Sequence, residues 1–129
     1  LGYDLEIGRL DMLLRYAPKK GHCRRHRHVA STSTLVLEGN QFLTQSQPDG
    51  SFRQIHRKRG DYAIAKADAL PHSEHGGEHG GTVLLTMATK NGVLFEYFGE
   101  DPGDSWTVSI REYVESWNSG STYGARPVK

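Results

Sequence analysis

GHCRRHRHVASTSTLVLEG, from Gly21 to Gly39, and GDYAIAKADALPHSE, from Gly60 to Glu74, are the stretches that decide how this chain folds. His26 and His28 stand one residue apart. On a β-strand, side chains alternate between faces, so these two imidazoles share a face and can chelate one metal ion. TLVLEG, Thr34 to Gly39, reads as a buried strand ending in a glycine turn. The second stretch reads as a glycine turn, a short strand, a second turn and then Pro71-His72.

Strand signals continue on both sides. Leu10, Met12, Leu14 and Tyr16 alternate within Arg9 to Ala17 and predict a first strand. Pro18 to Gly21 is a loop. Strands are predicted over His26–Ala30, Thr34–Leu37, Gln41–Gln45, Ser51–Arg57, Tyr62–Ala65, Pro71–Glu74, Thr82–Lys90 and Val93–Phe98. Gln47-Pro48-Asp49-Gly50 is a turn, because proline presets φ and glycine accepts positive φ. Asn91-Gly92 predicts a type I′ hairpin between the two strands flanking it. Many short strands with closely spaced turns indicate an all-β barrel or sandwich. The end differs: Ser109 and Glu112 form a capping box, and Ile110, Tyr113, Val114 and Trp117 fall on one helical face. The expected organisation is one domain over 1–118 with a helix at 109–118, followed by a flexible tail at 119–129.

The order HxH, TLVLEG, GD and PH resembles the cupin superfamily, whose first motif reads G…HxH…E…VLEG and whose second reads GD…P.G..H. The motifs span about residues 20 to 75, and the strand pattern extends the resemblance to about 9 to 100. The chain departs from the pattern in two places. Thr32 or Ser33 occupies the slot of the glutamate that follows HxH, and Lys66 and Asp68 replace the proline and glycine of the second motif. The resemblance implies a small antiparallel β-barrel (a jelly roll) holding one divalent metal ligated by His26, His28 and His72.

Gln45 and Glu74 are candidates for a fourth ligand or for positions just behind the metal. Some cupin dioxygenases carry a glutamate near the position of Gln45, and Glu74 lies two residues beyond His72, on the same strand face. Each also has a plainer role open to it: Gln45 as a barrel-lining amide holding water, Glu74 as a charge at the barrel mouth. Leu35, Leu37, Phe42, Leu85 and Phe95 are candidates to line or pack around the centre. His75 and His79, in a glycine-rich run that can bind metal, are expected in a loop, as is His22; His56 reads as a solvated strand residue. Cys23 sits beside Arg24 and Arg25, whose charge would lower a thiol pKa, but no base is placed near it.

Composition narrows the partners. The 129 residues carry 16 Lys and Arg against 15 Asp and Glu, a net charge of +1. That balance implies no strong attraction to nucleic acid or membrane, and the basic clusters lack interleaved aromatics. No apolar run of about 18 residues suggests a membrane span, and no signal peptide is visible. The single cysteine suits a reducing cytoplasm. The resemblance is nearest to small acetylacetone- and 2,4′-dihydroxyacetophenone-cleaving dioxygenases. It implies Fe(II), with zinc or nickel as alternatives, and a small diketone or hydroxyketone substrate cleaved at a C–C bond. A zinc- or ligand-binding sensor, and an isomerase or lyase acting on a small acid, are the competing expectations. A homodimer is expected, and the helical stripe is expected to pack against the barrel's outside or a partner subunit.

Overall fold

The computed structural model describes residues 2–19 and 23–120; His22 and positions 121–129 of the tail expected at 119–129 lie outside them. The chain runs β1 (Gly2–Asp4), β2 (Arg9–Tyr16), β3 (His26–His28), β4 (Ser31–Ser46), β5 (Phe52–Lys58), β6 (Tyr62–Ala65), β7 (His72–His75), β8 (Gly81–Ala88), β9 (Val93–Phe98), β10 (Ser105–Ser109) and α1 (Ile110–Asn118). All pairings are antiparallel.

One strand organises the barrel. The sequence predicts separate strands at Thr34–Leu37 and Gln41–Gln45, split by a turn at Gly39; instead β4 runs through all sixteen residues. Its first half lies between β8 and β6 in one sheet, and its second half between β5 and β7 in the other. Gly39 is therefore a bend and not an end. It adopts φ 63°, and a Cβ there would strike the Gly80 carbonyl oxygen. A bulge between Val36 and Glu38 accompanies the bend.

The bulge also shifts which residues face inward. Thr32, Thr34 and Val36 are buried before it, Gln41 and Leu43 after it. This corrects the expectation for Leu35 and Leu37, which belong to the outward set, Leu37 being 37% exposed. Phe42 also faces out, stacked between His56 and His75 with ring centroids 4.2 and 5.2 Å apart. Leu85 and Phe95 are buried as expected, with Leu10, Met12, Val83, Met87 and Tyr97.

Asn91-Gly92 does not make a hairpin. β8 pairs with β2 and β4, whereas β9 pairs with β3 and β10, so the chain crosses from one sheet to the other here. Only Gly92 has positive φ, and Asn91 Oδ1 instead accepts from the Val93 amide and the Thr89 hydroxyl. A type I′ turn needs positive φ at both residues. The Pro48 turn behaves as expected and joins β4 to β5.

The glycine-rich run after β7 serves packing. Cβ atoms at Gly76, Gly80 and Gly81 would meet Gly80, the Tyr16 carbonyl and the Asn40 carbonyl respectively. His75 ends β7 rather than lying in a loop, and His79 is exposed in the turn.

The capping box of α1 is present as read: Ser109 Oγ accepts from the Glu112 amide, and Glu112 accepts from the Ser109 amide. Of the two surfaces expected to cover the stripe, it is the chain's own barrel that does so. Ile110, Tyr113 and Val114 are buried, Tyr113 lies 5.9 Å from Phe95, and only Trp117 is exposed. No helix among the described residues is long and apolar enough to cross a membrane.

If the close approach at Gly39 is what bends β4, Gly39→Ala should lose about 2–3 kcal/mol of stability in urea unfolding. Gly50→Ala, at φ 85° with open space around it, should lose only about 1 kcal/mol. Equal losses would show that conformation alone, and not the contact with Gly80, sets the cost.

Candidate metal centre

β3 lies between β7 and β9, and this placement builds the site. His26 is paired directly with His72 on one side and Tyr97 on the other. Strand alternation adds His28 on the same inward face. Side chains opposite one another across an antiparallel pair come within contact distance. The His26 and His72 rings are 4.6 Å apart by centroid, and His28 and His72 are 5.0 Å apart. All three are buried, with one ring nitrogen from each lying within 4.8 Å of the others. Phe95 stands edge-on to both His26 and His28 at 5.5 and 5.2 Å and seals the apolar side.

Hydrogen bonding decides which nitrogens are free. His26 Nδ1 lies 2.7 Å from the Arg24 carbonyl, which can only accept, so Nδ1 carries the proton. His72 Nδ1 stands 3.3 Å from the Leu70 carbonyl in the same relation. His28 Nδ1 lies 2.8 Å from Thr32 Oγ1, whose own proton goes to the Ala30 carbonyl at 3.3 Å. The hydroxyl therefore accepts from His28. Every Nε2 is left with a bare lone pair. His26 Nε2 and His28 Nε2 face each other at 3.3 Å with no proton between them, and His72 Nε2 is buried with no hydrogen-bond partner.

The two rings cannot both carry a proton on Nε2, because two imidazolium ions 3.3 Å apart would repel by about 5 kcal/mol at an effective dielectric constant of about 20. Burial first, then the neighbouring histidines, hold His28 well below the usual imidazole range, and burial and His26 lower His72. Three imidazoles with converging Nε2 atoms form a donor set that fits a divalent cation.

Glu74 is 2% exposed, which overturns its expected place at the barrel mouth. Its Oε2 lies 3.7 Å from His72 Nε2, too far for a hydrogen bond to a neutral ring, and it is outside the close group of metal-donor atoms. It accepts instead from Gln41 Nε2 at 3.1 Å. Gln45 is paired with His72 across β4 and β7 and lines the cavity, where its Oε1 accepts from Gln47 Nε2 at 3.1 Å. The slot of the missing glutamate holds Thr32, which orients His28 rather than reaching the centre.

Sequence reasoning missed Gln41, Tyr16 and Arg57 as a unit. Gln41 Nε2 also donates to the Tyr16 hydroxyl at 3.2 Å, and Arg57 Nη1 donates to Gln41 Oε1 at 3.0 Å. Burial pushes the Tyr16 hydroxyl far above its ordinary range, keeping it neutral. The one usable signal was the even spacing of Gln41 and Gln45. Cys23 is not an activated thiol: burial, with the Glu74 charge nearby, pushes it up to about 12. The cavity above the histidines offers about 50 Å³ to water and is lined by His28, His72, Glu74, Gln45, Arg57 and small residues of β6.

No family model matches the sequence, and no curated protein matches it. Solved structures do. Acetylacetone dioxygenase from Acinetobacter johnsonii superposes with a TM-score of 0.71 at 12% identity, covering 92% of this chain and 74% of that one. A protein with a double-stranded beta-helix domain from Klebsiella pneumoniae gives 0.54 at 21%, covering 66% and 70%. Oxalate decarboxylase from Bacillus subtilis gives 0.56 at 20%, covering 92% of this chain. This chain spans only 30% of the length of that decarboxylase. At these identities the likeness establishes the fold: a double-stranded β-helix of the cupin type.

A cluster built this way should bind one divalent ion per chain, and His28→Ala should abolish stoichiometric binding. Thr32→Val removes only the group that orients His28. It should weaken affinity about tenfold to a hundredfold in chelator competition, and unchanged affinity would remove Thr32 from the site.

Proposed function

We propose that this cupin-type barrel is a metal-dependent enzyme, an Fe(II) dioxygenase that cleaves a C–C bond in a small diketone or hydroxyketone. The observation that carries the proposal is the set of three buried Nε2 lone pairs with no carboxylate among them. Likeness in fold to an acetylacetone dioxygenase supports the choice of chemistry. In this reading His26, His28 and His72 hold the metal. A bound ion would act as a Lewis acid toward two substrate oxygens and, as iron, would exchange electrons with O₂.

The chain's own residues do the rest. The Arg24 and Leu70 carbonyls and the Thr32 hydroxyl fix the ring orientations, leaving each Nε2 aimed inward. Phe95 excludes water from one side. Neutral ligands leave the ion's charge undiminished, which favours capture of a substrate as its anion. Gln45, at the cavity wall, is placed to hydrogen-bond a bound oxygen. The test is oxygen uptake by iron-loaded protein with a panel of 1,3-diketones and hydroxyketones, with His72→Ala as control. Uptake above that control is expected for at least one substrate. No uptake, together with zinc retained through chelator challenge, would replace the oxygenase by a metal-binding sensor.

The working form is proposed to be a cytoplasmic homodimer. With the helical stripe already buried, the support comes from the outer face of the first sheet. Leu13, Leu84, Leu35 and Tyr62 form one row across β2, β8, β4 and β6, beside Ile64. Leu13, Tyr62 and Ile64 are each more than half exposed, and a contiguous apolar row of this kind is what an association surface presents. Light scattering at about ten micromolar, a range in which weak interfaces dissociate, should give the dimer mass, and Ile64→Lys should give the monomer. A monomeric native chain would remove this part of the proposal.

A further inference from the structure

The cavity over the histidines has one cationic wall. β5 runs beside β4, and Arg57 stands opposite Gln41 on the inward face. Its guanidinium would reach solvent if left free. It is instead half-buried and held by Gln41 Oε1 at 3.0 Å. Gln41 is itself fixed, being 1% exposed with its amide protons donated to Glu74 and Tyr16. Three interior groups, Gln41 directly and Glu74 and Tyr16 through it, thus position one guanidinium at the cavity wall.

That guanidinium is incompletely matched. Among the described residues no carboxylate lies within ion-pair distance of Arg57; Glu74 and Asp61 act on it only at longer range. Arginine carries five N–H donors in a planar fork suited to a two-oxygen anion, and Gln41 uses one. A half-buried cation with unspent donors, beside a small cavity, is a receptor for an anion. The lining also includes Ala63, Ala65 and Ala69, which contribute room and no competing charge.

We propose that Arg57 is the anion anchor of this cavity, selecting small organic monoanions, carboxylates or enolates of a few carbon atoms, with one oxygen on the guanidinium and the other end toward the histidine cluster. The placement of the second end rests on the metal-centre reading above; the anchoring by Arg57 does not. Gln41 is a positioning residue, because it acts by holding the Arg57 guanidinium.

The probes are pyruvate and 2,3-butanedione, which differ by an anionic oxygen against a methyl group. Titrated into Co(II)-loaded protein and followed by the visible cobalt bands, pyruvate should bind about tenfold more weakly to Arg57→Met than to the native chain. Butanedione should be unaffected, cobalt content should not change, and Arg57→Lys should recover part of the pyruvate affinity. Arg57→Gln serves if the methionine variant does not fold. If the native chain takes up no cobalt, the metal-centre reading falls, and pyruvate titration of metal-free protein, followed by the Arg57 Nε–H resonance, decides the anchor alone. Pyruvate affinity within about twofold of native in the variants, equal weakening of both probes, or no movement of that resonance would overturn the proposal.

Discussion

At Gly39 the backbone of β4 passes so close to Gly80 and Gly81 that no Cβ fits on either side of the contact. Everything functional depends on that approach. It bends β4 out of one sheet and into the other, and with the adjacent bulge it resets which residues face inward. Without the reset, Gln41, Leu43 and Gln45 would point to solvent, and Phe42 and Thr44 would fill the cavity. The cost of positive φ is met by glycine, which has no Cβ to strain. Asn40, next in the chain, donates its amide to the Gly80 carbonyl, so the crossing leaves that polar pair satisfied.

The interior built around this bend is unusual in being polar on one side only. Toward Phe95, Tyr97 and Leu85 it is an ordinary apolar core. Toward β5 and β7 it holds Tyr16, Gln41, Glu74 and Arg57 in one connected set. Burying such groups is unfavourable unless each finds a partner, and most of them do. Two groups left short of partners, the His72 Nε2 lone pair and the unspent Arg57 donors, face the same cavity. One wants a cation and the other an anion. A metal bearing a small anionic ligand would satisfy both, which an apolar cavity would not.

Much of the fold was legible because its signals are local. HxH parity needs only two residues of extended chain, the Pro48 turn needs four, and the Ser109–Glu112 box needs four; all hold in the structure. What failed or stayed open were readings that needed a neighbour. Asn91-Gly92 carries hairpin chemistry, yet the strands on either side are claimed by different sheets. The stripe on α1 is apolar as read, but whether a partner or the chain's own barrel covers it is not written in its periodicity. Cys23 has two arginines beside it in sequence, but in space it is buried near Glu74, and desolvation outweighs the adjacent charges.

The sequence alone determined an all-β chain with His26 and His28 on one strand face, since strand alternation acts through the chain itself, and its resemblance to the cupin pattern implied the antiparallel barrel with His72 as third candidate ligand. Tertiary structure decided the rest: which nitrogen of each ring is free, that Glu74 lies inside rather than at the mouth, that Thr32 turns His28, and that Arg57 completes the cavity wall. These depend on cross-strand register and on a one-residue bulge that inverts a face. Register and bulges are set by long-range packing energies summed over several strands, and no single stretch of residues carries them.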